Sequence, residues 1–367
     1  MPSHSKNEET TVATIAHFDA TRVVVGIDTH KDEHVAIAID GLGARLGGYR
    51  CRATPAGYSD LERWASSLGD VAAFGVEGTG SFGAGLARFL SSRGHTVIEV
   101  SRPDRSTRRR LGKSDPIDAE AAARAVLAGV AQGVPKSGTH SVEMIRMLKV
   151  AKDSAVKART QAANQLMALV LTAPAELRQA LSGLSAGRLV RRCAGLRPGD
   201  VVTPTAAAKF ALRSIARRHR QLTAEVKTIG TELDRLVAET APALLQAFCV
   251  GPDTAAVLLI TAGDNPERLR SESAFAALCG VSPIPASSGK TNRHRLNRGG
   301  DRRANSALHR VVIVRLRYDE RTRTYMARRT AEGMTKPEVI RCLKRYVARE
   351  VYSILRSLVQ RDLAQAA

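Results

Sequence analysis

Four carboxylates in the first third of the chain carry the clearest chemical signal. Asp28 and Glu77 each end an apolar run. Asp115 and Asp118 open a predicted helix, on which acids three residues apart share one face. Clustered carboxylates repel one another unless a cation lies between them, and hard oxygen ligands favour Mg²⁺. The four acids therefore predict a Mg²⁺ site suited to two-metal phosphoryl transfer, in which ions about 3.5–4 Å apart hold the attacking and leaving oxygens.

The paired acids of the helix also fit an ordinary helix start. Asp115 could be an N-cap before Pro116, and Asp118 a first-turn acid that suits the helix dipole. Asp28 and Glu77 are harder to explain in this way, because an acid that ends a buried strand costs free energy unless something pairs with it. The helix pair alone leaves both interpretations open, whereas the strand-end acids favour a site.

The sequence pattern predicts the elements that position these acids. An antiparallel pair of apolar runs precedes alternating strands and helices, which indicates a mixed α/β sheet of ribonuclease-H-like (RuvC-like) type. Acids at strand ends and at a helix start can converge on one point of such a sheet. We predict four segments: a flexible tail (1–20), this α/β catalytic domain (21–135), a helical coiled-coil arm (140–240) and a mostly α-helical C-terminal domain (241–367).

The predicted arm rests on a heptad pattern. Apolar residues recur three and four apart over more than three heptads, which is typical of an a/d seam. The positions of the seam are Leu212, Ile215, His219, Leu222, Val226, Ile229, Leu233 and Leu236. His219 is expected to be a packed or register-setting polar residue rather than a ligand. The seam could pair with another helix of the same chain or with a second copy of the protein.

The charge balance indicates a polyanionic partner. The 367 residues include 56 Lys and Arg against 35 Asp and Glu, a formal net charge of +21, which most simply favours nucleic acid. No apolar run is long enough to span a bilayer, and the polar N-terminus lacks the apolar core of a signal peptide. The five cysteines form no Cys-x-x-Cys pair, which disfavours zinc and disulfides and fits a reducing cytoplasm.

Two basic segments are predicted to contact the phosphate backbone. The first leads directly into Asp115, where cations beside a metal site would meet phosphates, although a solvated loop is the plain alternative. It comprises Arg105, Arg108, Arg109, Arg110 and Lys113. The second comprises Lys290, Arg293, Arg295, Arg298, Arg302 and Arg303.

Two features of the C-terminal third also suggest contact with nucleic acid. The turn at Gly251 and Pro252, followed by an Ala-rich helix, resembles half of a helix-hairpin-helix, which presents backbone N–H groups to phosphate. Ser288 lies in a Gly-bounded loop within the second basic segment, a plausible place for a nucleophilic hydroxyl that faces DNA. A Ser-Ser-Gly sequence by itself is a common loop.

A dinucleotide-binding fingerprint is also present and is rejected. Residues 78–83 match Gly-x-Gly-x-x-Gly between a predicted strand and a predicted helix. Glu77, directly before the first glycine, would place a carboxylate close to a bound pyrophosphate. The strongly basic chain also has no evident need of such a cofactor.

Taken in order, these motifs resemble the bacterial DEDD transposases of the insertion-sequence 110 family and the related Piv invertases. The residues around Asp28, the Glu77-Gly78-Thr79-Gly80 element and the paired-Asp helix at 113–119 are similar to the N-terminal half of the family. The C-terminal half is similar at Gly251–Ala256, Gly280–Pro283, Ser288–Lys290 and Arg298–Asp301. The resemblance extends from about residue 22 to beyond 330.

The resemblance implies a RuvC-like domain joined by a coiled coil to a transposase domain with a nucleophilic serine. It implies Mg²⁺-dependent excision and insertion of a DNA element, with Ser288 covalently linked to DNA; the neighbouring Ser287 is the alternative. It further implies an element-encoded guide RNA that pairs with donor and target DNA, and dimers that associate as tetramers. The expected location is the bacterial cytoplasm, in association with the nucleoid.

Three rival functions remain open at the level of sequence. A RuvC-like junction resolvase would use water as its nucleophile and would need the four acids but not Ser288. A non-catalytic nucleic-acid-binding scaffold would bind with strong salt dependence and ignore Mg²⁺. An actin-like phosphotransferase also has an acid on its first strand, but the chain lacks the usual Gly-rich phosphate loop after Asp28.

Overall fold

The computed structural model describes residues 21–100, 114–263, 265, 268–287 and 294–366. The predicted tail, the first basic segment and Ser288 lie outside these residues. The chain divides into two compact units, Met1–Ser137 and Gly138–Ala367. The boundaries predicted for the α/β domain (21–135), the helical arm (140–240) and the C-terminal domain (241–367) stay predictions.

The first unit is built on a five-stranded sheet with helices on both faces. Its strands lie in the order β3-β2-β1-β4-β5; β1 is antiparallel to β2, β2 is antiparallel to β3, and β1, β4 and β5 run parallel. This is the mixed sheet that the sequence predicts. The elements are β1 (Arg22–Thr29), β2 (Glu33–Ile39), β3 (Arg45–Arg52), α1 (Pro55–Ser67), β4 (Asp70–Glu77), α2 (Ala84–Ser92), β5 (Val97–Val100) and α3 (Asp115–Leu127).

The central strand β1 is buried on both faces, which explains its uninterrupted apolar sequence. Val23, Val25 and Ile27 join the core on the side of α1 and α2. Val24 faces the opposite side and shares a core with the small residues of α3, among them Ala119. A strand that is covered on both sides cannot carry an acid in its middle, so Asp28 occurs only where the strand ends.

The third strand differs from its predicted extent. The sequence favours a strand over 47–54, whereas β3 ends at Arg52. The reason is Thr54, whose side chain accepts a hydrogen bond from the Gly57 backbone N–H and caps α1. A residue that caps a helix has left the strand ladder.

The second unit begins with two long helices that pack against each other. These are α4 (Ser141–Thr172) and α7 (Pro204–Thr240). The end of α4 shares a core with the start of α7 through Leu166 and Leu212, and the start of α4 meets the end of α7 through Ile145 and Leu233. The two helices are therefore antiparallel. Two short helices, α5 (Ala175–Leu181) and α6 (Ala186–Ala194), lie between them in a stretch for which the sequence predicts less regular structure.

The predicted seam of α7 faces α4, but it is buried only at its ends. Leu212, Leu233 and Leu236 are buried, whereas Leu222 and Ile229 in the middle are half-buried. The buried residues in the middle of α4 are Ala155 and Ala162, and small side chains cover less apolar surface than large ones. The intramolecular pairing is observed; a regular coiled coil and a dimer through this seam stay predictions.

The remainder of the second unit is mostly helical, as predicted. It comprises α8 (Pro242–Gln246), α9 (Pro252–Ala262), α10 (Glu272–Leu278), the short strands β6 (Ile284–Pro285) and β7 (His294–Arg295), α11 (Arg302–Tyr318), α12 (Glu320–Ala331) and α13 (Lys336–Ala366). One core joins these helices to the base of the α4–α7 pair. Among the described residues, no helix combines the length and apolarity needed to cross a membrane.

Candidate active site

The two strand-end acids lie side by side at one edge of the sheet. In the parallel pairing of β1 with β4, Ile27 is opposite Val76, so the next residues, Asp28 and Glu77, occupy equivalent positions. The Thr29 hydroxyl donates a hydrogen bond of 2.8 Å to the backbone carbonyl of Glu77 and ties the two strand ends together. The β1–β4 register therefore places the two acids next to each other, and their roles as metal ligands stay a prediction.

Two glycines let α3 lie directly on these strands. Gly26 and Gly75 are register partners, and each precedes its strand-end acid by two residues. A Cβ atom at Gly26 would come within 2.0 Å of the Ala119 carbonyl oxygen, and one at Gly75 within 2.7 Å of a Val126 methyl carbon. Side chains at either position would push the helix away, so the glycines set the height of α3 above the sheet.

The acids of α3 do not behave as an ordinary helix start. Ser114 occupies the N-cap position and Asp115 is the first helical residue, which corrects the alternative assignment of Asp115 as the cap. Asp118 is only 5 % exposed and points to the packed side of the helix. A carboxylate with so little contact with water is not a solvated first-turn acid.

A histidine joins the acids. The His30 Nε2 atom lies 3.3 Å from the Asp28 carboxylate and 3.4 Å from the Asp115 carboxylate. One ligand atom from each of these three residues falls within 4.8 Å of the others, a spacing that could hold a metal ion. The helix and the first strand therefore present donor atoms to the same point.

The pKa of Asp28 shows that the other three acids lie close enough to act on it. Burial raises the pKa of Asp28 above its ordinary value; His30 opposes the rise, and repulsion from Glu77, Asp118 and Asp115 adds to it. The four carboxylates bring several negative charges together, and a divalent cation that shares their charge would stabilise the cluster. Their hard oxygen donors fit Mg²⁺ or a similar ion.

The second basic segment is only partly described. Ser288, Lys290 and Arg293 lie outside the described residues, as do Arg105, Arg108, Arg109, Arg110 and Lys113 of the first basic segment. Arg295 is in β7, Arg298 lies in the loop that follows, and Arg302 and Arg303 begin α11. All four are exposed, which nucleic-acid contact requires.

The helix-hairpin-helix-like turn carries an acid that the sequence analysis did not weigh. Asp253, in the first turn of α9, lies 3.3 Å from Lys149, 3.4 Å from Lys152 and 3.6 Å from Arg310. Lys149 also pairs with Asp153. The positive charges around this helix start are thus engaged by protein carboxylates, and binding of phosphate at the turn stays a prediction.

Two protein-family models match the chain, one in its N-terminal part and one in its C-terminal part. A model of DEDD transposases named for the insertion sequence IS110 matches residues 25–173, which contain the acid cluster. A second model, described as "Transposase IS116/IS110/IS902 family", matches residues 241–327. The chain belongs to the IS110 family of transposases. Both the order and the position of the two matches agree with the resemblance drawn from the motifs.

Two curated relatives of this IS110-family chain are about equally similar to it. It is 29% identical over 158 residues to the "Insertion element IS110 uncharacterized 43.6 kDa protein" of Streptomyces coelicolor, a match that covers 43% of this chain and 37% of that one. It is 29% identical over 226 residues to the "Putative transposase y4pF/y4sB" of Sinorhizobium fredii, covering 60% and 56%. The matched parts thus span 37% and 56% of the two relatives.

The residue that sequence reasoning missed at the site is His30. It lies in the turn between β1 and β2, and the sequence analysis assigns it no role. Its position two residues after Asp28 was the available signal. The repeated offset of Gly26 to Asp28 and of Gly75 to Glu77 was a second signal, since it marks two strands covered by the same close-packed helix.

Proposed function

We propose that this IS110-family chain is a DNA recombinase that excises and inserts an insertion sequence with the help of Mg²⁺. The observation that carries the proposal is the convergence of Asp28, Glu77, Asp115 and Asp118 at the sheet edge, within the part of the chain that matches the DEDD model. A cluster of four acids, of which Asp28 and Asp118 are buried, is poorly suited to bind polyanionic DNA unless cations neutralise it.

The protein's own contribution to the metal site is preorganisation. Asp28 and Glu77 are fixed by strand pairing, and Asp115 and Asp118 by a helix that the two glycines hold against the sheet. When bound, divalent ions would polarise a phosphate and stabilise the attacking and leaving oxygens. His30, between Asp28 and Asp115, would hold the orientation of both carboxylates or serve as a further ligand.

The covalent step is assigned to Ser288. Its hydroxyl oxygen attacks a DNA phosphorus atom, so that a serine–phosphate ester forms as the phosphorus–oxygen bond to the departing strand breaks. The hydroxyl proton ends on the departing oxygen, which becomes a free hydroxyl group. In the reverse step, the hydroxyl group of a different DNA strand end attacks the serine–phosphate ester and releases the serine. No external energy source is needed to join the DNA, because one phosphoester bond replaces another. A serine hydroxyl is a weak nucleophile and needs an activating base or metal for this step.

The second partner in the proposal is a structured guide RNA encoded by the element. The chain has a net charge of +21 but an aromatic content of only 4%, so it offers many backbone contacts and few stacking platforms. Base pairing between RNA and DNA would supply the sequence specificity that such a surface lacks. Dimers that associate as tetramers would bring donor and target DNA together.

The decisive experiment is a search for a covalent protein–DNA adduct. The protein is purified with the nucleic acid it retains and mixed with labelled DNA that carries the joined ends of the element, with and without Mg²⁺. The products are separated on a denaturing gel. We expect a labelled band at the combined mass of the protein and the attached DNA strand, dependent on Mg²⁺ and absent in the S288A variant.

The neighbouring serine supplies the matched control. The S287A variant should form the adduct; loss of the adduct in S287A, with S288A active, would assign the nucleophile to Ser287 instead. Cleavage without any adduct would favour the junction resolvase. Binding without cleavage, in a preparation that retains its RNA, would contradict the recombinase and favour the scaffold.

A further inference from the structure

A pocket of about 350 Å³ lies at the start of α11, on the C-terminal side of the serine loop. We call it the Arg302 pocket; the lining residues that matter here are Gly280, Asn297, Arg298, Gly300, Arg302 and Asn305. Its volume is at the lower end of the range for small-ligand sites. Two guanidinium groups at the surface and an amide deeper in the wall give it a polar and basic character.

Two glycines form the pocket by close backbone approach. Gly280 has a φ of +65°, a left-handed conformation that favours glycine. A Cβ atom at Gly300 would come within 2.1 Å of the Gly280 backbone nitrogen, so no other residue fits at 300 without displacing the loop. The loop before α11 is therefore held directly against the turn after α10. This contact explains Gly280 and Gly300, one glycine in each of two motifs that the family resemblance singled out.

The wall of the pocket is fixed by an amide and a buried lysine. Asn305 donates hydrogen bonds to the carbonyl oxygens of Cys279 (3.2 Å) and Gly280 (2.8 Å). Its own carbonyl oxygen accepts a 2.8 Å hydrogen bond from the Lys344 ammonium group of α13. Lys344 is only 6 % exposed and forms no salt bridge within the described part of the chain. Burial lowers its pKa, and the nearby Arg341 lowers it further.

The arginines of the Arg302 pocket have no carboxylate partner in the described part of the chain. Among the described residues, neither Arg298 nor Arg302 lies within salt-bridge distance of a carboxylate. The one acid at the loop, Asp301, accepts hydrogen bonds from the backbone N–H groups of Arg303 and Ala304 and caps α11. A buried ammonium group without a carboxylate partner is costly, and an anion in the pocket would offset that cost.

The next arginine behaves differently and serves as an internal comparison. Arg303 lies 3.7 Å from Asp153 of α4, so part of its charge is already used within the protein. Both arginines are exposed and both begin α11. The sequence analysis treats these two adjacent arginines alike, but the structure distinguishes them. Arg302 lines the pocket, whereas Arg303 pairs with an acid.

We propose that the Arg302 pocket binds one phosphodiester group of the nucleic-acid backbone, with Arg298 and Arg302 as direct contacts and Lys344, through Asn305, as a positioning residue. The inference rests on the nucleic-acid-binding part of the proposed function and is independent of its covalent step. The bound phosphate would fix the path of the nucleic-acid strand at the start of α11.

The test compares R302Q with R303Q in the full-length protein. Binding of a short fluorescein-labelled single-stranded DNA, and of an RNA of the same sequence, is measured by fluorescence anisotropy over a series of salt concentrations. For R302Q we expect weaker binding and a slope of log affinity against log salt that is shallower by about 0.7, the value for one lost phosphate contact on a single strand. R303Q should change the slope less, because Asp153 already competes for that guanidinium.

The buried lysine is tested with K344Q, which retains a hydrogen-bond donor for Asn305 but removes the charge. We expect K344Q to weaken binding of the same probe that R302Q weakens, in a protein whose circular-dichroism spectrum is unchanged. A selective effect on DNA or on RNA supports the pocket and identifies the strand it holds. Equal slopes for R302Q and R303Q, with wild-type binding intact, would overturn the pocket and leave the proposed function standing. If the wild type binds neither probe, the proposed function itself fails.

Discussion

Gly26 lies so close beneath Ala119 that the two backbones leave no space for a methyl group: a Cβ at Gly26 would be 2.0 Å from the Ala119 carbonyl oxygen and 2.2 Å from the Ala123 nitrogen. This one contact sets the distance between the strand that carries Asp28 and the helix that carries Asp115 and Asp118. The geometry of the candidate site therefore depends on a residue that has no side chain.

We expect G26A to separate folding from metal binding. The extra methyl group must displace α3, at a cost of about 1–3 kcal/mol in the free energy of unfolding, and the displaced helix carries two of the four acids with it. Urea unfolding measures the first effect, and the rise in melting temperature on addition of Mg²⁺ or Mn²⁺ measures the second. G80A is the matched control, since no atom of the described residues lies within 4 Å of a Cβ at Gly80. An unchanged metal-induced shift in G26A would contradict the role of this contact.

Removal of the charge at Asp28 should abolish strand cleavage but not nucleic-acid binding. D28N retains the shape of the side chain, so the lost function reflects lost metal affinity rather than lost basic surface. We expect cleavage to fall by at least about 100-fold, while affinity for DNA is unchanged or increased because a negative charge is gone. Gel assays measure the loss of cleavage, and fluorescence anisotropy measures the affinity for DNA. Cleavage retained by D28N would overturn the metal assignment.

His30 should influence which ion the site prefers. Imidazole suits transition metals better than it suits Mg²⁺, whose ligands are almost always oxygen. In H30A, affinity for Mn²⁺ should fall by about tenfold or more, and affinity for Mg²⁺ should change less. Electron paramagnetic resonance of free Mn²⁺ gives the affinity for Mn²⁺, and competition by Mg²⁺ gives the affinity for Mg²⁺. H95A is the control, because His95 pairs with Glu62 elsewhere in the same unit. Equal losses for both ions would exclude His30 as a ligand.

The sequence predicts this α/β unit well because its signals are local. The apolar runs that end in Asp28 and Glu77 indicate both the strands and the positions of the acids at their ends. The place of Asp118 is not local: its burial depends on glycines at 26 and 75 that lie far away in the chain. The same holds for Lys344, whose partner Asn305 is on another helix. Long-range contacts of this kind follow from the packing, and no motif contains them.

The acid at the turn before α9 should contribute to stability in a pH-dependent way. Although burial alone would raise the pKa of Asp253, Lys149, Lys152 and Arg310 outweigh that effect and hold it below its ordinary value of 3.8. A lowered folded-state pKa means that the stabilisation is fully present above about pH 4 and is lost as the pH falls through the folded-state value. D253N should therefore be less stable than the wild type near pH 7, by about 1 kcal/mol or less because solvent screens a carboxylate that is 38% exposed, and the difference should shrink towards pH 3.

Urea unfolding at a series of pH values measures this difference. D234N is a suitable control, because Asp234 is exposed on α7 and has no salt bridge in the part of the chain that the structure describes. A difference between D253N and the wild type that is independent of pH would show that the loss is steric rather than electrostatic.

The half-buried middle of the α7 seam predicts self-association. Leu222 and Ile229 face α4 but remain partly accessible, so a second copy could complete their burial. We expect L222E together with I229E to lower the mass measured by light scattering, because two charges in an apolar seam oppose association. T228E, on the exposed face of the same helix, should leave the mass unchanged. Circular dichroism must show that the helices remain folded. An unchanged mass in the folded double variant would show that the seam serves only the α4–α7 pairing.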